Sequence, residues 1–291
     1  MLQKKGFAVN IFRIMQNKKT SASKNMPFAL HLEPAVDADK SDRKFVATLA
    51  KGLDLLRVFQ AQIGPLGNKE LVALTGYPKA TVSRMTYTLV KTGYLRQRRD
   101  GKFEISARVL SLGYPLLVSQ RMRHICHDYM AEIASMGNYT LGLAVQDGPS
   151  MVYIDECTGS SLNKLRLDIG ARIEIVRSAV GRAWLSAIDE QQRTEFYQQL
   201  APVYGDEWSA LLPRIKQSLA EIRARGFCLV DREWRNDTRG VAVPLISTDG
   251  QTVMAMNCAA PVYGVSNETL VEDIGPRLVH TANNLSLLIG T

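Results

Sequence analysis

The sequence is poor in cysteine and histidine, with four residues of each type among 291. The cysteines stand far apart and form no C-x-x-C pair, so neither a disulfide framework nor a zinc ribbon is indicated. No apolar run approaches the roughly 18 residues that a membrane-spanning helix needs. The glycine-rich phosphate loops of nucleotide-binding proteins are missing as well. These absences argue against secreted disulfide-rich proteins, membrane proteins and nucleotide-dependent enzymes.

The charged residues are plentiful but unevenly distributed along a chain that is long enough for two domains. Residues 1–125 contain 22 Lys and Arg against 8 Asp and Glu, a balance of +14. Residues 126–291 contain 14 against 20, a balance of −6. A basic first half followed by an acidic second half is typical of a polyanion-binding domain joined to a regulatory or assembly domain.

Residues 1–42 differ from the rest of the chain because they show no sustained amphipathic period. They contain a basic, serine-rich stretch at residues 18–24 and two prolines, Pro27 and Pro34. We expect a disordered basic tail, with an overlong start ahead of Met15 or Met26 as the alternative. The N-terminus also lacks the pattern of a secretory leader, which favours a cytoplasmic protein.

Residues 43–105 have the pattern of a winged helix-turn-helix domain. Residues 46–60 predict a first helix, whose apolar positions are Val46, Leu49, Ala50, Leu53 and Leu56. Asn68 stands where a helix N-cap is expected, ahead of a short helix over residues 69–74. Gly76 ends that helix, and Pro78 suits the first turn of a third. Asp100-Gly101 then separates two strand-like runs, the usual sign of a hairpin.

The third helix and the hairpin carry the residue types that DNA recognition requires. A helix in the major groove reads bases with hydrogen-bonding side chains near its N-terminus, and cations beside it bind phosphates. Solvated surface charge is the alternative for any single Lys or Arg, but the basic hairpin and the +14 balance favour double-stranded DNA. The candidate DNA-binding residues are Lys44, Lys79, Ala80, Thr81, Ser83, Arg84, Tyr87, Thr88, Lys91, Arg96, Arg98, Arg99 and Lys102.

A helical pattern over residues 106–130 connects the two domains, and we assign residues 106–125 to a linker helix. Pro115 is expected to kink or interrupt it. Several residue types that bind metals lie together at His124, Cys126, His127 and Asp128. No second ligand cluster stands nearby in the sequence, so we expect helix packing here and no metal or cofactor.

Residues 126–291 alternate strand and helix patterns in a way that predicts an antiparallel α+β domain. Asp147-Gly148 joins two strands into a hairpin, and Asp249-Gly250 joins a later pair. The predicted strands cover residues 141–145, 151–154, 165–169, 227–231, 241–246 and 253–259. The predicted helices cover residues 178–188, 211–225 and about 268–288.

Several of these stretches resemble one family, the IclR-type transcriptional regulators. They are residues 45–53 (FVATLAKGL), 76–84 (GYPKATVSR), 178–183 (SAVGRA) and 225–233 (RGFCLVDRE). The similarity is collinear over about residues 44–290, and within the family it is greatest to the branch that governs aromatic-compound degradation. The resemblance implies a homodimer, in some members a homotetramer, that binds an operator.

The resemblance also implies that residues 126–291 form a GAF-like effector-binding and oligomerisation domain. Its effector would be a small organic acid, most often aromatic, which modulates operator binding. Carried over by position, the effector-binding residues are Leu162, Leu165, Arg166, Ser178, Ala179, Val180, Val230, Asp231, Gly240, Asn257 and Ala259. The first turn of the helix at Ser178 would offer N–H groups to a carboxylate.

The chain departs from the family pattern at residues 174–177, where EIVR replaces a stretch that contains proline and a small or aromatic residue. Arg177 and Arg166 therefore either add positive charge to the pocket or face solvent. Gly240 and Ala259 stand where some members carry polar side chains, which leaves ligand contacts there open.

Two other functions compete with a ligand-responsive regulator. An architectural DNA-binding protein would lack a usable pocket. An enzyme would use Asp231 and Glu233 as an acid–base pair or Cys228 as a nucleophile, but no histidine accompanies them. We expect no enzymatic activity, and we expect Cys228 and Cys258 to pack within strands.

Overall fold

The computed structural model describes residues 44–61, 64–119, 121–137, 139–159, 168–247, 250 and 253–288. The predicted tail lies outside the described residues, as do the candidate effector residues Leu162, Leu165 and Arg166. The described chain divides into two compact units between residues 119 and 120. We describe each unit separately.

The N-terminal unit is a winged helix-turn-helix, as the sequence predicts. Its elements are α1 (Ala47–Ala61), α2 (Asn68–Thr75), α3 (Lys79–Lys91), β1 (Leu95–Gln97), β2 (Phe103–Ile105) and α4 (Arg108–Ser119). Strands β1 and β2 are antiparallel, with Leu95 opposite Ile105, and Leu66 adds a bridge to Phe103. The hairpin is thereby fastened to the segment that precedes α2.

The core of this unit uses a different face of α1 from the predicted one. Leu55 and Val58 are buried, whereas Val46, Leu49 and Leu53 are exposed. Two apolar stripes run along α1, and periodicity alone does not decide which of them packs inward. The remaining core residues are Leu66, Leu71, Val82, Met85, Leu95 and Phe103.

The turn between α2 and α3 is fixed by backbone conformation and by one half-buried hydrogen bond. Gly76 has a φ of 71°, a left-handed conformation that glycine adopts without strain. The Tyr77 hydroxyl donates to Asp54 Oδ2 at 2.8 Å, which joins the turn to α1. Helix α2 begins at Asn68, one residue earlier than predicted, with Gly67 rather than Asn68 as its N-cap.

The C-terminal unit contains a six-stranded sheet and confirms the antiparallel α+β prediction. Its strands are β3 (Thr140–Asp147), β4 (Ser150–Thr158), β5 (Arg172–Glu174), β6 (Cys228–Asp231), β7 (Thr238–Ile246) and β8 (Val253–Pro261). They lie in the order β5-β4-β3-β8-β7-β6, and each neighbouring pair is antiparallel. The helices are α5 (Arg121–Ser135), α6 (Ala179–Ala187), α7 (Glu190–Tyr204), α8 (Trp208–Arg225) and α9 (Gly275–Leu288).

Helices cover both faces of this sheet. Helix α6 packs on β7 and β8, while α5 packs on β3 and β4 and α9 on β7. A register shift in the β3–β4 pair sets Tyr153 opposite Ala144 and Asp155 opposite Leu143. Because β4 has one extra residue between these pairs, Tyr153 joins the core beneath α6, whereas Asp155 contacts α5.

One predicted strand differs from the structure, and one observed helix was not predicted. The segment predicted as one helix over residues 106–130 is helical on both sides of residue 120, as α4 and α5, and α4 continues through Pro115 to Ser119. The strand predicted over residues 165–169 is not observed at its described end, residues 168–169, and the edge strand is β5 instead. Helix α7 was not predicted, because its largely polar sequence has weak apolar periodicity.

Candidate functional site

One face of α3 presents an exposed strip of polar, basic and aromatic side chains. Ala80, Arg84, Tyr87 and Lys91 follow one another at helical spacing, and all four are exposed. The Lys91 Nζ lies 5.6 Å from the centroid of the Tyr87 ring. Other candidates that are exposed in this unit are Lys44, Lys79 and Thr88. The strip has the composition that a groove-reading helix needs.

Two other candidates on α3 are half-buried. Ser83 Oγ accepts a hydrogen bond of 2.8 Å from the Asn68 side chain, so it joins α3 to α2. Thr81 is likewise only half-buried, between the exposed strip and the helix core. The structure thus separates Ser83, which holds the two helices together, from the exposed candidates around it.

The wing pairs several of its cations with its own acidic residues. Arg96 stands directly opposite Glu104, and the two side chains form a 2.7 Å ion pair. Arg98 lies 3.6 Å from Asp100 and 3.7 Å from Glu104. The net positive charge of the hairpin is therefore smaller than its arginine count suggests.

The two remaining wing cations differ from each other. Lys102 Nζ lies 3.9 Å from Glu70 on α2. Arg99 is exposed at the hairpin tip, and within the described chain no carboxylate lies within ion-pair distance of it. Arg99 is consequently the wing cation whose charge is most available to a phosphate.

A small, half-open cavity with an interior volume of about 30 Å³ lies between α6 and the sheet. It is lined by seven of the predicted effector residues, namely Ser178, Ala179, Val180, Val230, Gly240, Asn257 and Ala259. Five lining residues were not predicted: Tyr153, Ile173, Trp234, Thr238 and Arg239. The alternation of the β3–β4 hairpin could have indicated Tyr153, and adjacency to Gly240 could have indicated Arg239.

The first turn of α6 forms one end of this cavity. Ser178 is the N-cap, and its Oγ accepts from the Gly181 N–H at 3.2 Å while donating to the Glu174 carbonyl at 2.5 Å. The N–H groups of Ala179 and Val180 open the helix and have no acceptor within it. This helix end carries partial positive charge, which favours an anionic group.

Arg239 brings a buried cation to the cavity wall, but its charge is already balanced. Its Nε lies 3.2 Å from Asp231 Oδ1, and its Nη1 donates to the Val265 carbonyl at 3.1 Å. Asn267 donates to the other oxygen of Asp231 at 3.0 Å. Asp231 does not line the cavity, so this predicted effector residue instead holds Arg239.

Arg177 faces away from the cavity. Its guanidinium pairs with Glu174 at 3.0 Å and with Glu207, and it lies 5.9 Å from the centroid of the Tyr204 ring. Burial raises the pKa of Glu174, an effect that Arg177 opposes. Arg177 is therefore neither in the cavity lining nor free in solvent, but half-buried against these two acids.

The residues of the enzymatic alternative are engaged elsewhere. Glu233 lies beyond β6 and forms two hydrogen bonds with Arg182, of 3.0 and 2.6 Å. Asp231 is held by Arg239, so the two carboxylates do not face a common point as an acid–base pair. Cys228 and Cys258 are fully buried, and burial raises the pKa of the Cys228 thiol to about 12.

The cluster of metal-binding residue types on α5 is dispersed by the fold. Cys126 is buried, while His124 and Asp128 are exposed. His127 Nδ1 lies 3.1 Å from Asp155 Oδ2. Over the described ranges, no group of three or more His, Cys, Asp or Glu side chains could hold a metal ion.

None of the helices in the described part of the chain combines the length and the apolar character that a membrane span requires.

Both units match known families. Residues 48–99 match the IclR helix-turn-helix domain, and residues 115–287 match the bacterial transcriptional regulator IclR C-terminal domain. The HTH-type transcriptional regulator TsaQ1/TsaQ2 of Comamonas testosteroni is 32% identical over 253 residues, which are 86% of this chain and 91% of that protein.

Solved structures agree with this match. An IclR family transcriptional regulator from Brucella abortus superimposes with a TM-score of 0.78 and 35% identity, covering 89% of this chain and 98% of that one. An IclR homologue from Microbacterium hydrocarbonoxydans, solved in complex with 4-hydroxybenzoate, shares the fold with a TM-score of 0.67. It is 18% identical, and the match covers 82% of this chain and 98% of that one.

Proposed function

The chain belongs to the IclR family of bacterial transcriptional regulators, and we propose that α3 and the wing bind its operator. The observation that carries this assignment is the exposed strip of Arg84, Tyr87 and Lys91 on one face of α3. In a helix-turn-helix, this face enters the major groove while the wing contacts phosphates. The proposed contacts are Lys44, Lys79, Ala80, Thr81, Arg84, Tyr87, Thr88, Lys91, Arg96, Arg98, Arg99 and Lys102.

The effector proposed for the C-terminal unit is an organic acid that carries a ring. Apolar residues such as Ile173, Val180 and Val230 line the cavity, and the N–H groups at the start of α6 offer a site for a carboxylate. The 4-hydroxybenzoate bound by the Microbacterium homologue has these two features, a carboxylate and a ring. It is therefore the first compound to test.

We propose a homodimer as the acting form, with a homotetramer as a further assembly. Leu49 and Leu53 leave an apolar stripe exposed on α1, Val46 is exposed just before it, and α4 exposes Leu110 and Leu112. Burying such surface against a second copy would place two recognition helices on successive half-sites. An effector that favours one arrangement of the dimer would then shift operator affinity.

A regulator of this kind acts where the bacterial chromosome is, so we place it in the cytoplasm. Catalysis is not part of the proposal, because Asp231 and Glu233 are both held by arginine side chains. The chemistry that remains is recognition of DNA at one unit and recognition of a ligand at the other.

The test begins with selection of binding sites from random double-stranded DNA by the full chain. We expect a motif with two related half-sites, and we expect 4-hydroxybenzoate or a related ring acid to change affinity for it. Arg84→Ala should abolish enrichment of the motif. Arg223→Ala removes the same charge from an exposed position on α8 and should leave enrichment unchanged. Recovery of no motif by the unaltered chain would refute operator binding.

A further inference from the structure

An acidic residue lies among the arginines of the wing. Arg96 on β1 stands directly opposite Glu104 on β2, and the Arg96 Nη2 donates to the Glu104 Oε1 at 2.7 Å. The Arg96 side chain is 70% exposed and that of Glu104 is 27% exposed. Ion pairs this exposed add little to stability, because water and salt screen them. The greater consequence of the pair concerns DNA, because it lies on the hairpin proposed to contact phosphates.

The first effect of Glu104 is on the charge that acts on DNA at a distance. Its carboxylate lies 2.7 Å from Arg96 and 3.7 Å from Arg98, and it offsets one of the positive charges of the hairpin. Binding to DNA of unrelated sequence depends almost entirely on such charge, because it is driven by the release of counterions from the phosphates. Glu104 therefore weakens binding to the many wrong sequences that a chromosome offers.

The second effect of Glu104 is on the position of Arg96. A guanidinium carries five N–H donors in a rigid, planar fork. The hydrogen bond to Glu104 uses Nη2, so the remaining donors can bind a phosphate while this bond persists. A side chain that is already held in place loses less conformational freedom when it binds. That advantage requires the close fit of a complex in which α3 occupies the groove, and loosely bound DNA does not provide such a fit.

We propose that Glu104 is a specificity-determining residue of the DNA-binding unit. Its charge lowers affinity for unrelated DNA, and its hydrogen bond to Arg96 supports binding to the operator. A protein discriminates by the difference between two affinities, so a group that weakens the wrong complex contributes as much as one that strengthens the right complex. This inference rests on the operator binding proposed above for α3 and the wing.

The experiment titrates two DNA duplexes with the full chain over a range of salt concentrations. One duplex carries the motif recovered by site selection, and the other has the same bases in shuffled order. Glu104→Thr removes the charge, and threonine suits a strand but is too short to reach Arg96. We expect this variant to bind the shuffled duplex roughly 4- to 10-fold more tightly at low salt, with a salt dependence steeper by about one ion. Affinity for the motif should rise less than about 2-fold, so discrimination falls by about 2-fold or more.

Asp100→Asn is the matched control. It removes the same charge from the same hairpin, while Asn-Gly preserves the turn and Arg98 keeps its contact with Glu104. Both duplexes should be bound more tightly by similar factors, because Glu104 still holds Arg96. Thermal unfolding of both variants should match that of the unaltered chain within a few degrees, since the pairs are exposed.

A second background separates position from charge. When Arg96→Gln is already present, Glu104→Thr should raise both affinities equally, since no Arg96 remains to be held. A preference for the motif that is unchanged in Glu104→Thr, or that falls equally in Asp100→Asn, would overturn the role of Glu104 alone. Recovery of no motif by the unaltered chain would reject operator binding and this role together.

Discussion

Replacing Glu233 by Gln should destabilise the C-terminal unit more than its position in a loop suggests. Arg182 is 1% exposed, and Glu233 provides two of its hydrogen bonds, of 3.0 and 2.6 Å. The other partners of the guanidinium are the Val176 carbonyl and the Ser218 hydroxyl. None of those is charged, so Glu233→Gln leaves a buried cation without a buried counter-charge.

The cost follows from what desolvation does to a buried ion. Removing one partner of a buried pair typically destabilises a protein by about 3–5 kcal/mol. Glu233 retains 17% side-chain exposure, and solvent screens part of the effect, so we take the lower end, about 3 kcal/mol. For a unit of this size, that loss corresponds to a melting temperature lower by roughly 6–12 °C.

Urea and thermal unfolding of the full chain, followed by the C-terminal tryptophans, would measure this effect. Glu207→Gln is the control, because its carboxylate pairs with Arg177 at the surface, where a loss of about 1 kcal/mol or less is expected. In an Arg182→Met background, Glu233→Gln should cost less than about 1 kcal/mol, since no buried cation remains. Equal effects of Glu233→Gln and Glu207→Gln would show that Arg182 does not depend on Glu233.

Three shorter predictions concern other residues. Arg99→Ala should weaken operator binding and reduce its salt dependence by about one ion. Arg96→Ala should do so less, because a wing glutamate already pairs with its charge. Titrations of operator binding over a range of salt concentrations would separate the two variants. Gly181→Ala should lower the melting temperature by several degrees or prevent folding, because the added Cβ overlaps the backbone of Ile175. The raised pKa of Glu174 means that its contribution to stability is present at acid pH and is lost as the pH rises through the folded-state pKa. Glu174→Gln should therefore gain stability relative to the unaltered chain as the pH increases, measured by unfolding at several pH values.

The features that sequence predicted well are those that local backbone chemistry determines. Asp100-Gly101 and Asp147-Gly148 specify tight turns, and both hairpins form where these pairs occur. Gly226 ends α8 in a left-handed conformation, as expected of a residue that follows a helix. Such signals involve a few neighbouring residues, and tertiary packing does not need to be known in advance.

The features that sequence did not predict depend on which surfaces meet. Both apolar stripes of α1 satisfy helical periodicity, and only packing shows that Leu55 rather than Leu53 is inside. From the sequence alone, the wing appeared strongly basic. Only the strand register shows that its acids, including Glu104, lie opposite the arginines. Most of the cavity residues were found by family resemblance, and Tyr153 escaped because none of the stretches that carry the resemblance includes its strand.

Strand β4 contacts the two parts of the C-terminal unit that a regulator must connect. Tyr153 faces the cavity, while Asp155, two residues later, binds Arg123 and His127 of α5 on the other face. In a regular strand these two side chains would share one face, and the extra residue of the bulge separates them. Because α5 follows α4 along the chain, a shift of β4 on ligand binding in the cavity would also move the carboxylate that contacts α5. The bulge thus places a residue of the cavity wall and the carboxylate that contacts α5 on a single strand.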